Sequence, residues 1–380
     1  VSALERLKSH YQNRVDAARS WQARGGQVVG YCGIDVPEEL LLAAGVFPLR
    51  LTGEPLGSTA LADQYVAPTF HPQVRSIFNR LLDGTYAFLD HVILTNSTET
   101  ILRLFYCLRE IKRLESYPAL PNLAYFELLH TPYRTSARYN RDRVRDFKKQ
   151  LERWTGNPID AEALRAAIAV CNENRRLLQA VAQARLEPTP RFSGVAALQI
   201  IGTAMCLHKP EHNHWLRQVL DEPATRSNGV GPRLFVEGSS LDHTQLYELV
   251  EACGATIVAE DSDWGNRYGE TVVAETGDPL DAIAERYHYK PPSPAKATIE
   301  ARVTYAVQKA VEAKVDGALF FVLRGENPPA WDYPEQRQAL EARGIPTLYL
   351  GQQPYALTEA DALRASVKAF VQSLARAKRL

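Results

Sequence analysis

The chain is short of the features that would place it at once. No apolar run approaches the roughly 18 residues of a membrane span. Excess charge is also missing: Lys+Arg and Asp+Glu each total 44, which argues against a basic nucleic-acid binder or a polybasic membrane protein. Residues 1–24 carry a charged amphipathic pattern without a signal peptide's apolar block. Cysteine is sparse, with five scattered residues and no Cys-x-x-Cys. An odd, dispersed set reads as reduced thiols rather than a disulfide framework, and excludes a self-contained zinc or ferredoxin-type site. The expectation is a soluble, cytoplasmic α/β protein with neither nucleic acid nor membrane as partner.

What is present is core-forming material in a strand–helix rhythm. With 380 residues and 45% hydrophobic content the chain can bury a large core and divide into domains. Its organising stretch is residues 27–51, QVVGYCGIDVPEELLLAAGVFPLRL. This reads as a short strand, a turn carrying Cys32, a helix opened by Pro37 and closed at Gly45, and a second strand. Glu38 and Glu39 fall in the helix's first turn, where its dipole favours negative charge. Helices are expected over 4–23, 71–83, 100–114 and almost continuously over 136–184. Strands are expected over 91–95 and 124–129. The second half repeats the rhythm, with strands at 233–237, 255–260, 317–323 and 346–350. Helices there are expected at 243–253, 298–314, 333–343 and 360–377, and the Pro-bearing stretch 186–193 reads as a linker.

Alternation of this kind predicts an α/β fold: two doubly wound parallel-sheet (Rossmann- or flavodoxin-like) domains with a helical insert. The expected division is residues 1–135, a helical segment and linker at 136–190, and 191–380. Ligands of such sheets bind at the carboxyl ends of the strands. That rule singles out the loops at 31–37, 95–99, 238–242, 261–267 and 324–331.

The glycine–aromatic turn with Cys32, followed by Pro37-Glu38-Glu39 and the Ala43-Ala44-Gly45 helix end, resembles the N-terminal motif of the 2-hydroxyacyl-CoA dehydratase and benzoyl-CoA reductase subunits. The resemblance runs over nearly the whole chain and is to the smaller-subunit type. It implies a subunit of a heteromeric radical enzyme acting on a coenzyme A thioester. It also implies a homologous larger subunit and an ATP-dependent iron–sulfur activator as partners. In that family, three strand-end cysteines of a subunit hold a [4Fe–4S] cluster. Here only Cys32 matches: the second position falls in Asn96-Ser97-Thr98-Glu99, and the third in the cysteine-free stretch 324–334. Hydroxyls and carboxylates substitute poorly for the soft thiolates that hold such clusters.

Several residues become candidates on this layout. Cys32 is the candidate metal ligand, as a remaining ligand, a redox-active thiol or a leftover of an inherited scaffold. Glu38, in the motif the family places at its active site, and Glu99 are the candidate catalytic carboxylates. Ser97, Gly238, Ser239 and Arg324 are candidate substrate contacts: Gly238 as a turn that can offer N–H groups to a phosphate, Arg324 as an anion partner at a strand's carboxyl end. The histidines 208, 212 and 214 beside Cys206 form a possible metal patch of no standard spacing. Two functional readings stand. The chain is either a dehydratase- or reductase-type catalytic subunit with an atypical or absent cluster, or a cluster-free structural or binding subunit supporting a homologous partner.

Overall fold

The computed structural model describes residues 1–115, 117, 119–222, 231–293, 297–358 and 360–377. The elements in order are α1 (Ala3–Gln12), α2 (Asp16–Ala23), β1 (Val28–Cys32), α3 (Glu38–Ala43), β2 (Phe47–Arg50), α4 (Pro72–Leu82), β3 (His91–Thr95), α5 (Glu99–Leu114) and β4 (Asn122–Phe126). Four helices follow: α6 (Arg134–Thr155), α7 (Ala161–Leu186), α8 (Gly194–Thr203) and α9 (Lys209–Asp221). The chain continues with β5 (Arg233–Gly238), α10 (Gln245–Ala252), β6 (Thr256–Glu260), α11 (Asn266–Gly269), α12 (Pro279–His288) and α13 (Ile299–Glu312). It ends with β7 (Gly317–Leu323), α14 (Asn327–Glu341), β8 (Thr347–Gln353) and α15 (Asp361–Ala377).

The strands form two four-stranded, all-parallel sheets, ordered β2-β1-β3-β4 and β6-β5-β7-β8. The expected α/β class with two doubly wound sheets is therefore observed. Each sheet reverses its winding beside its first strand, between β1 and β3 and between β5 and β7. That is where an open parallel sheet leaves a crevice. β1 (Val-Val-Gly-Tyr-Cys) and β7 (Gly-Ala-Leu-Phe-Phe-Val-Leu) are buried along their full length, because helices cover both faces of a parallel sheet.

The chain divides into two compact units, each discontinuous in sequence. The first comprises residues 1–176, 203–215 and 271–291; the second comprises 177–202, 216–270 and 292–380. In the first unit, apolar clusters line both faces of the sheet, one around Phe78, Leu81 and Val92, the other around Leu40, Phe147 and Ile283. In the second, Phe235, Ala306, Phe320 and Leu340 form a core cluster.

Local chemistry explains the boundaries that differ from expectation. The helix expected over 4–23 is two helices, because the Asn13 amide and N–H both donate to the Ser9 carbonyl and close α1 there. α5 starts at Glu99 because the Thr98 hydroxyl accepts from the Ile101 N–H at 3.2 Å. The stretch expected as a loop before residue 333 is largely the start of α14, which begins at Asn327 with proline in its first turn. Among the described residues no helix is long and apolar enough to cross a membrane.

Candidate functional site

The crevice of the first sheet is built on the turn after β1. Gly33 has φ 109°, and a Cβ on it would fall 1.9 Å from Thr95 Oγ1 and 2.6 Å from Ser97 Oγ. Only glycine admits both this conformation and this approach. The Thr95 hydroxyl, at the end of β3, reaches the Cys32 carbonyl at 3.2 Å and the Ser97 hydroxyl at 2.6 Å. Ser97 Oγ accepts from the Ile34 N–H at 2.9 Å and donates to Asp35 Oδ2 at 3.1 Å. Asp35 Oδ2 also meets His130 Nε2 at 3.0 Å, with Asp35 fully buried and the His130 side chain 14% exposed. The Lys290 ammonium donates to the Ile34 carbonyl and lies over the Tyr287 ring. Two of the sequence candidates, Cys32 and Ser97, are thus linked through Thr95, which meets the Cys32 carbonyl and the Ser97 hydroxyl. The Cys32 side chain itself is buried in an apolar cluster with Val28 and Leu94. Asp35 and His130 extend the network from Ser97, and Lys290 reaches the Ile34 carbonyl. Asp35 lies inside the expected 31–37 loop. His130 follows β4, whose carboxyl end the same strand-end rule selects.

The two motif carboxylates face the interior of the first unit. Glu38 Oε1 accepts from the Tyr31 hydroxyl at 2.6 Å and from Lys209 Nζ at 3.2 Å, with Glu38 5% exposed. Glu39 pairs with Arg175 at 2.5 Å, and the Tyr287 hydroxyl donates to it at 3.1 Å. Burial by itself would raise the Glu39 carboxyl. The guanidinium of Arg175, with Arg286 and hydrogen bonds, outweighs burial and holds it below the usual range. Burial first, then the Glu38 carboxylate, pushes the Tyr31 hydroxyl well above its ordinary value. None of the partners Arg175, Lys209, Arg286 and Tyr287 is signalled by spacing around the motif, because they arrive from α7, α9 and α12. Glu99 is exposed on α5 and pairs with Arg103 one turn on.

In the second unit, Gly238 ends β5 with φ 113°, and a Cβ there would lie 2.3 Å from the Phe321 carbonyl oxygen. The Ser239 N–H donates to that oxygen at 2.7 Å, and Ser239 Oγ accepts from the Leu323 N–H at 2.8 Å. Since α10 begins only at Gln245, the turn is a stitch between β5 and β7 rather than a helix start. Arg324 is exposed at the end of β7, its N–H donating to the Gln353 carbonyl. Behind these residues lie buried ionic groups. Arg185 grips Glu260 with two hydrogen bonds of 3.0 and 2.6 Å, and Arg267 meets Asp261 at 2.9 Å. Burial, and then the Asp261 carboxylate, pushes Glu237 well above the carboxyl range. Burial also raises Asp261 despite Arg267.

A [4Fe–4S] cluster needs thiolates. The turn of the first unit offers one thiol and two hydroxyls hydrogen-bonded to each other, and its carboxylate already faces Ser97 and His130. That donor set does not fit such a cluster. Cys171 and Cys206 are buried, and burial pushes the Cys206 thiol up to about 12, a poor thiolate. His208 stacks on Trp21, His212 hydrogen-bonds Asn174 and His214 packs on Trp215, so the three histidines serve separate neighbours. Among the described residues no group of three or more His, Cys, Asp or Glu is placed to hold a metal ion.

A family model described as 2-hydroxyglutaryl-CoA dehydratase, D-component, matches residues 33–374. The chain is 24% identical over 361 residues to the (R)-phenyllactyl-CoA dehydratase beta subunit of Clostridium sporogenes, covering 92% of each chain. It is 23% identical over 344 residues to (R)-2-hydroxyglutaryl-CoA dehydratase, subunit beta, of Acidaminococcus fermentans, covering 87% of this chain and 88% of that one. A benzoyl-CoA reductase subunit of Thauera aromatica is 25% identical over 284 residues, 70% of each chain.

Proposed function

The chain belongs to the 2-hydroxyglutaryl-CoA dehydratase D-component family, and from that premise we propose that it is the smaller subunit of a heteromeric enzyme acting on an acyl-CoA thioester. The names of its relatives support this reading: the phenyllactyl, hydroxyglutaryl and benzoyl proteins are each a subunit named for an acyl-CoA substrate. In this proposal the crevice at Gly33, Ser97 and His130 receives the acyl thioester. In the second unit, taken by itself, Arg324 is exposed at the end of β7 and suits an anion, and Gly238 and Ser239 shape that unit's own crevice. Glu38 acts by positioning, because its carboxylate is engaged by Tyr31 and Lys209 inside the unit. Glu99 keeps a peripheral part.

One observation carries the assignment of the iron–sulfur cluster: the two hydroxyls at the Cys32 turn are bonded to each other, to Asp35 and to the Ile34 N–H. We infer that the homologous larger subunit holds the cluster and that an ATP-dependent activator serves that subunit. Iron and acid-labile sulfide analysis tests this. The chain expressed alone should carry neither, and the assembled complex should carry iron that survives Cys32→Ser in this chain. Iron in the isolated chain that Cys32→Ser removes would overturn the assignment.

The interior burial of Glu38 and Glu39 favours a second reading, a purely supporting subunit. Acyl-CoA protecting the His130 region from hydrogen exchange in the complex would exclude it.

A further inference from the structure

We propose that the second unit holds a binding site of its own for a small uncharged alcohol or phenol, set between α7, α11 and α13 beside β6. It goes beyond the acyl-CoA reading and does not depend on it.

β6 is the outer strand of its sheet, and the last turns of α7, residues 177–186, belong to the same unit. Hydrogen bonds fasten this stretch of α7 at two points less than two turns apart. Gln179 Nε2 donates to the Gly269 and Glu270 carbonyls at 2.8 and 3.1 Å. Arg185 donates to the Glu260 carboxylate and, at 3.1 Å, to the Ile257 carbonyl of β6. The positions that meet between these fastenings are small: Ala182 of α7, Ala259 of β6 and Ala313 just past α13. With Leu178 and Ile201 they wall a cavity of about 220 Å³. Held on both sides, α7 cannot move in to fill it, and such space persists only where the surroundings cannot relax. An apolar cavity of about 150 Å³ is enough to hold benzene, so this one has room for a substituted ring.

One end of the cavity is polar. The Lys309 ammonium meets Glu270 at 2.5 Å and Glu312 at 3.5 Å, and the Tyr305 hydroxyl donates to the other oxygen of Glu270. The two carboxylates take two of the three ammonium protons, and the Lys309 side chain is still 25% exposed. Its third proton is a donor for a ligand oxygen. Gln183 is exposed at the rim, and its amide oxygen can accept from the ligand in return. Charge then decides the class of ligand. The lining sets one cation, Lys309, against two carboxylates, so an anion is repelled on balance. A ligand cation would compete with Lys309 for carboxylates already engaged, and the apolar walls disfavour charge of either sign. A hydroxyl is the smallest neutral group that both accepts and donates. An apolar body with one such head matches the usual make-up of a small-molecule pocket.

The test is a methyl-detected NMR titration of the full chain with p-cresol, toluene and p-toluate, which share a methylated ring and differ in the head group. p-Cresol should shift the Leu178 and Ile201 methyls with a Kd on the order of 1 mM. Toluene should bind about fivefold more weakly, the worth of one hydrogen bond, and p-toluate should leave the signals in place. Lys309→Met should bring p-cresol down to the level of toluene, and Ala182→Phe, which fills the cavity, should abolish both responses. Lys309→Met decides the matter should Ala182→Phe fail to fold. No shift at Ile201 with p-cresol, equal binding of p-cresol and p-toluate, or an advantage over toluene unchanged in Lys309→Met overturns the proposal.

Discussion

In the first unit, Gly33 follows β1 with φ 109°, and side-chain hydroxyls occupy the place of its missing Cβ; in the second, Gly238 ends β5 with φ 113°, and the Phe321 backbone occupies it. Both glycines stand at the reversal point of a sheet with the same strand order. One topology thus makes two different ends. In the first, the filling atoms belong to Thr95 and Ser97 and connect through Asp35 to a partly open histidine. In the second, the serine that follows the glycine binds one strand to its neighbour. A fold repeats its crevice readily, while chemistry depends on whether side chains or backbone fill it.

The buried charges differ in the same way. Glu39 of the first unit is held ionised by Arg175 and Arg286, whereas Glu237 and Asp261 of the second are pushed upward by burial with Arg267 beside Asp261. Removing a guanidinium has the largest expected effect. Arg175→Ala should cost about 3–5 kcal/mol by leaving Glu39 buried without its main partner, and Arg185→Ala should do the same at Glu260. Hydrogen exchange followed residue by residue should place each loss in its own sheet. A loss spread evenly over both sheets would erase the distinction between the units.

The glycines give the next effect. Gly238→Ala should destabilise by about 1–3 kcal/mol, since it combines a strained φ with a backbone oxygen that cannot move aside. Gly33→Ala meets side chains instead, so the double variant Gly33→Ala/Thr95→Ala should recover part of its loss in urea unfolding. Identical, unrecoverable losses would show that hydroxyls and backbone fill the two turns equivalently.

The smallest effect, and the sharpest contrast, is in pH dependence. Glu39 has a lowered folded value, so its contribution is complete above the unfolded carboxyl range, about 4.3, and fades as pH falls through the lowered value. Glu237 has a raised folded value, so its contribution is complete below that range and fades as pH rises toward the raised value. Exchange protection of β1 should therefore weaken at acid pH, while that of β5 should weaken on the way to neutral. Glu237→Gln should flatten the second trend only. Parallel trends in both sheets would remove the contrast.

Much of this architecture can be read from local pattern. The runs at 91–95 and 317–323 coincide with β3 and β7, since a buried parallel strand is a short apolar stretch between turn residues. Gly45 stands just past α3 with φ 71°, as a helix-closing glycine should. The helices α8, α9 and α12 are not among those the pattern predicts, and neither is the return of residues 203–215 and 271–291 to the first unit. Their apolar faces are ordinary, and the contacts of Lys209 and Tyr287 with Glu38 and Glu39 of α3 appear only in the folded chain. The site follows the same division. Cys32 and Ser97 are visible as strand-end residues, and His130 follows a strand end too, but its pairing with Asp35, 95 residues away in sequence, appears only in the fold.

The α/β alternation, the buried strand runs and the helix-closing Gly45 are legible in the order of residues, because periodicity and residue identity are local properties. Three-dimensional packing settles the rest: which carboxylates are engaged and which hydroxyls are already bonded. Those depend on partners brought from distant segments, and a hydrogen bond exists only where a donor and an acceptor meet at about 3 Å.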